Sequence, residues 1–204
     1  MLSIAIQAGG ESRRMGQNKA LMPFLGRPLI AHLLDRLKNS ADEIFVTAGQ
    51  PGLYDFLGVP VYLDELPERG ALGGLLTALR QAKHPALAAV ACDMPFANPA
   101  LLRYQYELLL AEKADVVVPS TEFGPEPLHA LYRTATCLPA VEAAVQRGEW
   151  KLSGWFEHVR TRVLARDEWE SFDPQHVIFT NLNTPQDFQK AQAYARKTGG
   201  FLGK

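Results

Sequence analysis

The chain has 204 residues and a mass of 22.5 kDa, the size of one large domain with a substantial core. Hydrophobic residues make up 47% and charged residues 21%, and a net charge of -1 argues against nucleic acid or an anionic membrane as the main partner. No apolar run reaches the roughly 18 residues of a membrane span, and the first residues lack the basic start of a secretion signal. We therefore expect a cytoplasmic protein with no membrane partner.

A glycine-rich, cationic loop follows the first predicted strand, Leu2 to Ile6. The loop has the sequence Gln7-Ala8-Gly9-Gly10-Glu11-Ser12-Arg13-Arg14-Met15-Gly16-Gln17-Asn18-Lys19. Its paired glycines leave backbone N–H groups accessible, because neither carries a Cβ, and two arginines and a lysine surround them with positive charge. These features favour a polyphosphate site over the alternative, a surface turn with solvated arginines.

The spacing of this loop differs from that of two common phosphate-binding motifs. A Walker A loop has four residues between its glycines and a Lys-Ser/Thr directly after them, whereas five residues separate Gly10 from Gly16 and Lys19 lies three positions later. A dinucleotide fingerprint requires Gly-x-Gly-x-x-Gly at the start of a helix, which this run does not contain. The loop therefore indicates another class of nucleotide site.

Strands and helices alternate after the loop. Apolar residues at helical spacing predict a helix from Ile30 to Ala41, and strands are predicted at 43–48 and 59–63 with a short helix at 54–57 between them. Such an order predicts parallel pairing of the strands. Because ligands of parallel sheets bind outside the carboxyl ends of strands, Asp64, directly after the 59–63 strand, is a candidate binding residue.

Two later segments carry further candidate groups. The loop 65–74 enters a helix, and its Gly73-Gly74 pair permits a base or sugar to approach closely, although glycines at a helix start are also an ordinary structural feature. The apolar strand 87–91 ends in Cys92-Asp93-Met94-Pro95-Phe96. Asp93 suits Mg²⁺, which prefers few carboxylates together with phosphates and water. The alternative for Asp93 is a cap of the helix that begins near Pro99.

The remainder of the chain continues this alternation less regularly. His129 is expected to be a hydrogen-bonded structural residue, with catalysis or metal binding as the lesser alternative. Thr184 followed by Pro185 predicts the start of the last helix. The two cysteines lie far apart, without metal-ligand spacing, and are expected to be buried free thiols. The predicted elements are helices at 99–113, 135–147, 152–158 and 184–196, strands at 115–119, 127–132 and 177–180, and a loose tail at 199–204.

Four motifs together resemble a known family. The segments 7–19, 70–75, 92–96 and 181–185 are similar, in this order, to those of the molybdenum cofactor guanylyltransferases, a group of nucleotidyltransferases. The resemblance spans nearly the whole chain. The chain departs from the family pattern in having Gln7 for the usual leucine, Asn18 for a frequent aspartate and Thr47 for a common asparagine.

The resemblance and the residue pattern together predict a fold and a reaction. The fold is a single α/β domain spanning 1–204, with a mostly parallel, doubly wound (Rossmann-like) sheet and helices on both faces. Residues 1–120 are expected to form a nucleotide-binding half and 121–198 an acceptor-binding half. The implied reaction transfers GMP from GTP to the phosphate of molybdopterin and releases pyrophosphate. Expected protein partners are other molybdenum cofactor biosynthesis proteins and the molybdoenzymes that accept the product; no nucleic-acid partner is expected.

The resemblance also implies roles for individual residues. Lys19, Arg13 or Arg14, and Asp93 would serve catalysis, with Asp93 also binding Mg²⁺. The predicted GTP-binding residues are Gln7, Ala8, Gly9, Gly10, Lys19, Thr47, Asp64, Gly74 and Asp93. The predicted pterin-binding residues are Lys151, Asn181 and Asn183; for Lys151, a solvated surface lysine is an equal alternative.

Two other functions are consistent with the sequence. One is a related nucleotidyltransferase that uses CTP or a sugar phosphate, because such enzymes share the loop, the lysine and the aspartate. The other is a protein that binds GTP without catalysis. Pyrophosphate release with GTP, Mg²⁺ and the pterin acceptor would distinguish the enzyme from the binding protein.

Overall fold

A mixed, mostly parallel sheet organises the computed structural model, which describes residues 1–9 and 18–199. Its strand order is β10-β7-β9-β6-β1-β4-β5, with β8 paired to β7, while β2 and β3 form a separate hairpin. The strands are β1 (Leu2–Gln7), β2 (Pro23–Phe24), β3 (Arg27–Pro28), β4 (Glu43–Ala48), β5 (Val61–Leu63), β6 (Ala86–Ala91), β7 (Val116–Thr121), β8 (Gly124–Pro125), β9 (His129–Arg133) and β10 (Thr161–Leu164).

Strand β1 occupies the centre of the parallel part of the sheet. It pairs in parallel with β4 on one side and with β6 on the other, so that Gln7 lies beside both Thr47 and Ala91. The strand β9 is antiparallel to both β6 and β7, and β10 is parallel to β7. The prediction of a mostly parallel sheet is confirmed.

Helices cover both faces of the sheet, as predicted. Alternate residues of β1 point to opposite faces: Ile4 and Ile6 pack in a core with α1 and α3, whereas Ala5 packs in a core with α2 and α4. Both cysteines are free; Cys137 is buried and Cys92 half-buried. The helices are α1 (Leu29–Leu37), α2 (Gly70–Gln81), α3 (Pro99–Ala111), α4 (Thr134–Gln146), α5 (Arg166–Trp169) and α6 (Pro185–Thr198).

The predicted strand at 177–180 is wrong. This segment forms a turn, although its composition favours a strand, because Asp173 supplies the hydrogen-bond partners that a neighbouring strand would provide. The Asp173 carboxylate accepts the backbone N–H groups of Val177 at 2.8 Å and Ile178 at 3.0 Å. Ile178 is buried in the core, so the apolar pattern reports burial and not strand pairing.

Other differences concern the length and presence of elements. The first helix ends at Leu37 and not at Ala41, and only Phe156–His158 of the predicted helix at 152–158 is helical, as one 3₁₀ turn. The predictions omitted β10 and α5. Helix α6 begins as predicted, and Gly199 ends it in a left-handed conformation; residues 200–204 of the predicted loose tail lie outside the described residues. In residues 1–9 and 18–199, no helix has the length and apolarity needed to cross a membrane.

Candidate active site

The predicted site residues of the first strands meet at one edge of the sheet. The Ala8 N–H donates to Thr47 O at 2.8 Å, and the Cys92 N–H donates to Gln7 O at 3.0 Å. These bonds extend the parallel ladders by one residue beyond the strands. They bring the loop after β1 and the Asp93 segment after β6 side by side, as expected for the carboxyl edge of a parallel sheet.

Lys19 connects two of the predicted motifs with its own. Its ammonium group donates to Asn183 Oδ1 at 2.7 Å and lies 3.3 Å from Asp93 Oδ2. The side chains of Lys19 and Asp93 are 18% and 20% exposed, so their ion pair is partly screened from water. Three groups that are distant in sequence therefore form one charged and polar cluster.

The local structure around Lys19 explains its position. Lys19 begins a 3₁₀ helix, Lys19–Leu21, and the Asn18 side chain caps that helix by accepting the Ala20 N–H at 3.0 Å. Asn18 Nδ2 also donates to the Tyr54 hydroxyl at 2.8 Å. This explains how Asn18 functions at a position where the family often has aspartate: the amide supplies both an acceptor for the helix and a donor for Tyr54.

The start of α6 holds Asn183. Thr184 caps the helix, and the Asp187 carboxylate accepts the N–H groups of Asn183 at 3.1 Å and Thr184 at 2.8 Å. This reciprocal capping confirms the predicted start of the helix. The Leu182 N–H donates to Asp93 O at 3.0 Å, which fixes the segment against the strand end that carries Asp93.

A cleft lies beside this cluster and has mostly small side chains along its wall. Gly9, Ala71 and Ala91 contribute to it, together with Lys19 and Asp93. Small side chains leave room for a ligand, and Lys19 contributes a cation. The cleft therefore combines open space with a positive charge, two features that a phosphate-binding site requires.

A second set of polar groups lies on the α2 side of the same edge. Ideal Cβ positions show why two glycines are needed there: a Cβ on Gly9 would stand 2.0 Å from Asp64 Oδ2, and one on Gly74 would stand 2.9 Å from Gln7 Oε1. Burial raises the pKa of Asp64 to about 6. Three buried atoms in this set have no hydrogen-bond partner in the described part of the chain: Gln7 Nε2, Thr47 Oγ1 and Asp64 Oδ1.

Two alternatives raised by the sequence are decided here. Asn98, and not Asp93, caps α3, because its side chain accepts the N–H groups of Ala100 and Leu101. This leaves Asp93 outside the capping of that helix. His129 is fully buried, and its Nε2 accepts the Asn98 N–H at 3.1 Å. Burial lowers the pKa of His129 to about 4, so it is a neutral, hydrogen-bonded structural residue at pH 7.

The remaining predicted residues differ in where they lie. Asn181 is half-buried, with Nδ2 3.4 Å from Phe179 O, whereas Lys151 is exposed and has no ion-pair partner among the described residues. Next to Lys151 in the chain, the Trp150 ring packs against the Arg69 guanidinium, whose Cζ lies 5.1 Å from the centre of the ring. Gly10 and Arg13 lie outside the described residues. Asn183 is therefore the predicted acceptor residue that directly contacts Lys19.

Tyr54 is a site residue that the sequence did not reveal. Its ring is buried, and its hydroxyl contacts both Asn18 Nδ2 and Ala8 O, the latter at 3.4 Å, so it joins the two ends of the glycine-rich loop. Burial raises the pKa of Tyr54 to about 12, which keeps the hydroxyl protonated and able to donate. A single tyrosine before a short helix gives no signal of this role in the sequence.

Comparison with known proteins places this geometry in a family. The family model described as "MobA-like NTP transferase domain" matches residues 4–162. The chain is 34% identical to the molybdenum cofactor guanylyltransferase of Desulfosudis oleivorans, over 92% of this chain and 93% of that one. It is 34% identical to the probable molybdenum cofactor guanylyltransferase of Carboxydothermus hydrogenoformans, over 93% and 94%. The chain belongs to the MobA-like NTP transferase family.

The fold of this MobA-like NTP transferase is also similar to a solved structure. The crystal structure of molybdopterin-guanine dinucleotide biosynthesis protein A from Archaeoglobus fulgidus matches it with a TM-score of 0.84 and 25% identity, covering 96% of this chain and 99% of that one. The family model spans the motifs at 7–19, 70–75 and 92–96 and ends before the motif at 181–185. The family resemblance, the nucleotidyltransferase class and the α/β fold predicted from the sequence are confirmed.

A divalent metal fits this MobA-like site through one carboxylate. In residues 1–9 and 18–199, no group of three or more His, Cys, Asp and Glu side chains is placed to hold a metal ion. Mg²⁺ does not need such a group, because it commonly binds through one or two carboxylates together with substrate phosphates and water. The partly exposed Asp93 carboxylate, beside the cleft, suits that mode of binding.

Proposed function

We propose that this chain transfers GMP from GTP to the phosphate of molybdopterin, releasing pyrophosphate and forming molybdopterin guanine dinucleotide. The main observation behind the proposal is that Lys19 contacts both Asp93 and Asn183 beside one cleft. These residues come from three of the four motifs that resemble those of the molybdenum cofactor guanylyltransferases. The proposal is further supported by relatives of that name at 34% identity.

The chemistry requires charge compensation more than proton transfer. An acceptor phosphate oxygen forms a bond to the α-phosphorus of GTP, and the bond from that phosphorus to the bridging oxygen of pyrophosphate breaks. A phosphate monoester has a second pKa of about 6, so at pH 7 it is mostly dianionic and needs no general base. Lys19 supplies positive charge to the reacting phosphates, and Asp93 and Asn183 hold its ammonium group in place.

Asp93 has a second role in this proposal as the residue that holds Mg²⁺. When bound, Mg²⁺ neutralises charge on the phosphates of GTP. The backbone N–H groups of the glycine-rich loop and Arg13, which lie in or next to residues 10–17, would add further donors. Their contribution follows from the sequence pattern and stays a prediction.

The proposal assigns the pterin to the second half of the chain, residues 121–198, and GTP to residues 1–120. Alanine variants of Asn181 and Lys151 are then expected to bind GTP with unchanged affinity and molybdopterin more weakly. Asn183 touches Lys19, so its alanine variant is expected to slow turnover as well. Calorimetry that finds GTP affinity lowered as much as pterin affinity in the Lys151 variant would contradict this division.

The decisive experiment mixes the purified protein with GTP, Mg²⁺ and molybdopterin. Pyrophosphate release that depends on molybdopterin, together with a product of the mass of the guanine dinucleotide, is the expected result. GTP binding without pyrophosphate release would instead identify a non-catalytic binding protein. Turnover with a sugar phosphate in place of molybdopterin would assign a different acceptor.

The proposal also includes a preference for GTP over CTP. Gly9 leaves space that the Asp64 carboxylate occupies, and a carboxylate at this edge can accept the N–H donors of a guanine base. Competition between GTP and CTP measures the preference directly. An equal or higher kcat/KM for CTP would place the chain with the cytidylyl-transferring relatives.

In the cell, this function would require exchange of the pterin with other proteins. We expect the chain to work in the cytoplasm, to receive molybdopterin from other molybdenum cofactor biosynthesis proteins and to deliver the product to molybdoenzymes. Pull-down of the tagged protein from cells that produce a molybdoenzyme tests these contacts. Recovery of the molybdoenzyme with wild-type protein, and its absence with tag alone, is the expected result.

A further inference from the structure

The buried Gln7 side chain carries an amide donor that no described residue pairs with. Gln7 is only 4% exposed, and its Nε2 has no hydrogen-bond partner among the described residues. A buried amide donor without a partner destabilises a fold, so a residue that only filled this space would be apolar. A leucine of similar size would fill it without this loss.

Asp64 presents a complementary unpaired group next to this amide. Its Oδ1 is also buried without a partner in the described part of the chain. A Cβ on Gly74 would stand 2.9 Å from Gln7 Oε1 and 3.7 Å from Asp64 Oδ1, so the amide and the carboxylate both lie against Gly74. A half-turn of the Gln7 amide exchanges its oxygen and nitrogen, which would direct an N–H donor towards the carboxylate acceptor.

We propose that Gln7 is a positioning residue for guanine selection: with GTP bound, its amide N–H donates to Asp64 Oδ1 and orients the carboxylate. The remaining lone pairs of the carboxylate then accept the N1–H and 2-amino donors of guanine. This inference rests on the proposed function, because it takes GTP as the substrate.

A positioning role and a packing role predict opposite effects of removing the amide. Gln7→Met keeps the side-chain length and removes the unpaired donor. If Gln7 positions Asp64, the variant gains thermal stability without nucleotide, because the buried Nε2 donor that has no partner is removed, while Asp64 Oδ1 stays as it was. It also loses guanine selectivity. If Gln7 served packing alone, its substitution would lower the stability of the protein and leave guanine selectivity unchanged.

The test measures the affinities of the whole protein for GTP and inosine triphosphate by calorimetry, without acceptor. Inosine triphosphate lacks only the 2-amino group, so the affinity ratio reports how well the carboxylate is placed. Gln7→Met is expected to reduce the ratio about tenfold, the effect of one hydrogen bond to a charged group. Gln105→Met is the matched control, because Gln105 is also a buried glutamine but its amide donates to Val117 O and His129 O. This control is expected to lose stability and to keep the ratio.

A double-variant cycle tests whether Gln7 acts through Asp64. In an Asp64→Asn background, Gln7→Met is expected to change the ratio no further, because the carboxylate is already absent. An undiminished effect of Gln7→Met in that background, or an unchanged ratio in the single variant, overturns the inference. The proposed function fails separately, if the wild-type protein with GTP, Mg²⁺ and molybdopterin forms no dinucleotide.

Discussion

The two ends of the central parallel strands differ in how their buried polar groups are satisfied. At the amino end, Ser3 donates to Glu43 Oε2 at 2.6 Å, the Lys83 N–H donates to the same oxygen at 3.0 Å, and the Leu2 N–H donates to Asp42 at 2.8 Å. At the carboxyl end, by contrast, side-chain atoms of Gln7, Thr47 and Asp64 are buried without partners in the residues that the structure describes.

The carboxylates of the two ends show the same difference. Burial acts to raise the pKa of Glu43, but hydrogen bonds from Ser3 and Lys83 outweigh it and hold the pKa below its usual value. Asp64 has no such donors, and burial alone raises its pKa to about 6. At the amino end, Glu43 Oε1 is the carboxylate oxygen without a hydrogen bond among the described residues, and it still lies 3.1 Å from the Lys83 ammonium group. The carboxyl end instead leaves polar groups that a ligand can satisfy.

The largest expected effect of a substitution is at Asp93. Asp93→Asn keeps the size of the side chain but removes the charge that pairs with Lys19 and that we propose holds Mg²⁺, so turnover is expected to fall about a thousandfold. Asp42→Asn, at the amino end, is the control and is expected to keep its turnover. Pyrophosphate release at saturating Mg²⁺ measures both variants, and wild-type turnover of the Asp93 variant would remove Asp93 from the mechanism.

Lys19→Ala is expected to lower single-turnover transfer about a hundredfold at saturating GTP, because it removes a cation from the reacting phosphates. Lys83→Ala removes a lysine of the amino end that pairs with Glu43 at 3.1 Å, and is expected to leave transfer unchanged. Rapid-quench measurement of the first turnover separates this effect from weaker binding. Equal transfer rates in the two variants would contradict the expectation that only the lysine at the carboxyl end serves the reaction.

Gly9→Ala tests the contact between the loop and Asp64. The new methyl group would stand 2.0 Å from Asp64 Oδ2, so the carboxylate must move, and the preference for GTP over CTP is expected to fall about tenfold. Gly49→Ala is the control, since a Cβ there meets nothing within 4 Å. Competition kinetics measure the preference; an unchanged ratio in the Gly9 variant would show that Asp64 does not select the base.

The smallest expected effect concerns stability and pH. Burial raises the pKa of Asp64 to about 6, above the unfolded value of about 3.9, so the folded protein binds the Asp64 proton more tightly than the unfolded chain does. The stability that this proton contributes is therefore lost as the pH rises from about 3.9 to about 6. Asp64→Asn is therefore expected to raise Tm by a few degrees at a pH of about 7.5 and to change it little at about 4.

Glu43→Gln, at the other end, is the control for this pH dependence. The pKa of Glu43 is lowered, so its contribution to stability is present at neutral pH and lost as the pH falls. The Tm of this variant should fall further below that of the wild-type protein at a pH of about 7.5 than at about 4. Thermal unfolding of the nucleotide-free proteins at both pH values measures the two trends, and identical trends would contradict the contrast between the ends.

Two regular elements, β4 and α6, were predictable because their local signals agree with the tertiary structure. Strand β4 has the predicted bounds, and Thr184 with Pro185 begins α6 as its capping chemistry requires. The segment 177–180 has equally strong strand composition and still forms a turn, since the Asp173 carboxylate captures its backbone N–H groups. Local composition cannot reveal such a partner.

The sequence by itself determined the family, the parallel sheet, the loop that carries Lys19 and the strand ends after which Asp64 and Asp93 lie. Glycine spacing, charge and the alternation of strands and helices can be read along the chain, and parallel strands place their carboxyl ends at one edge of the sheet. Only the tertiary structure decided which groups are in contact. Lys19 donates a hydrogen bond to Asn183, the Tyr54 hydroxyl contacts the start of the glycine-rich loop at Ala8 O, and the side chains of Gln7 and Asp64 both lie against Gly74. These contacts depend on side-chain directions and on packing between segments distant in the chain, which no single stretch of sequence encodes.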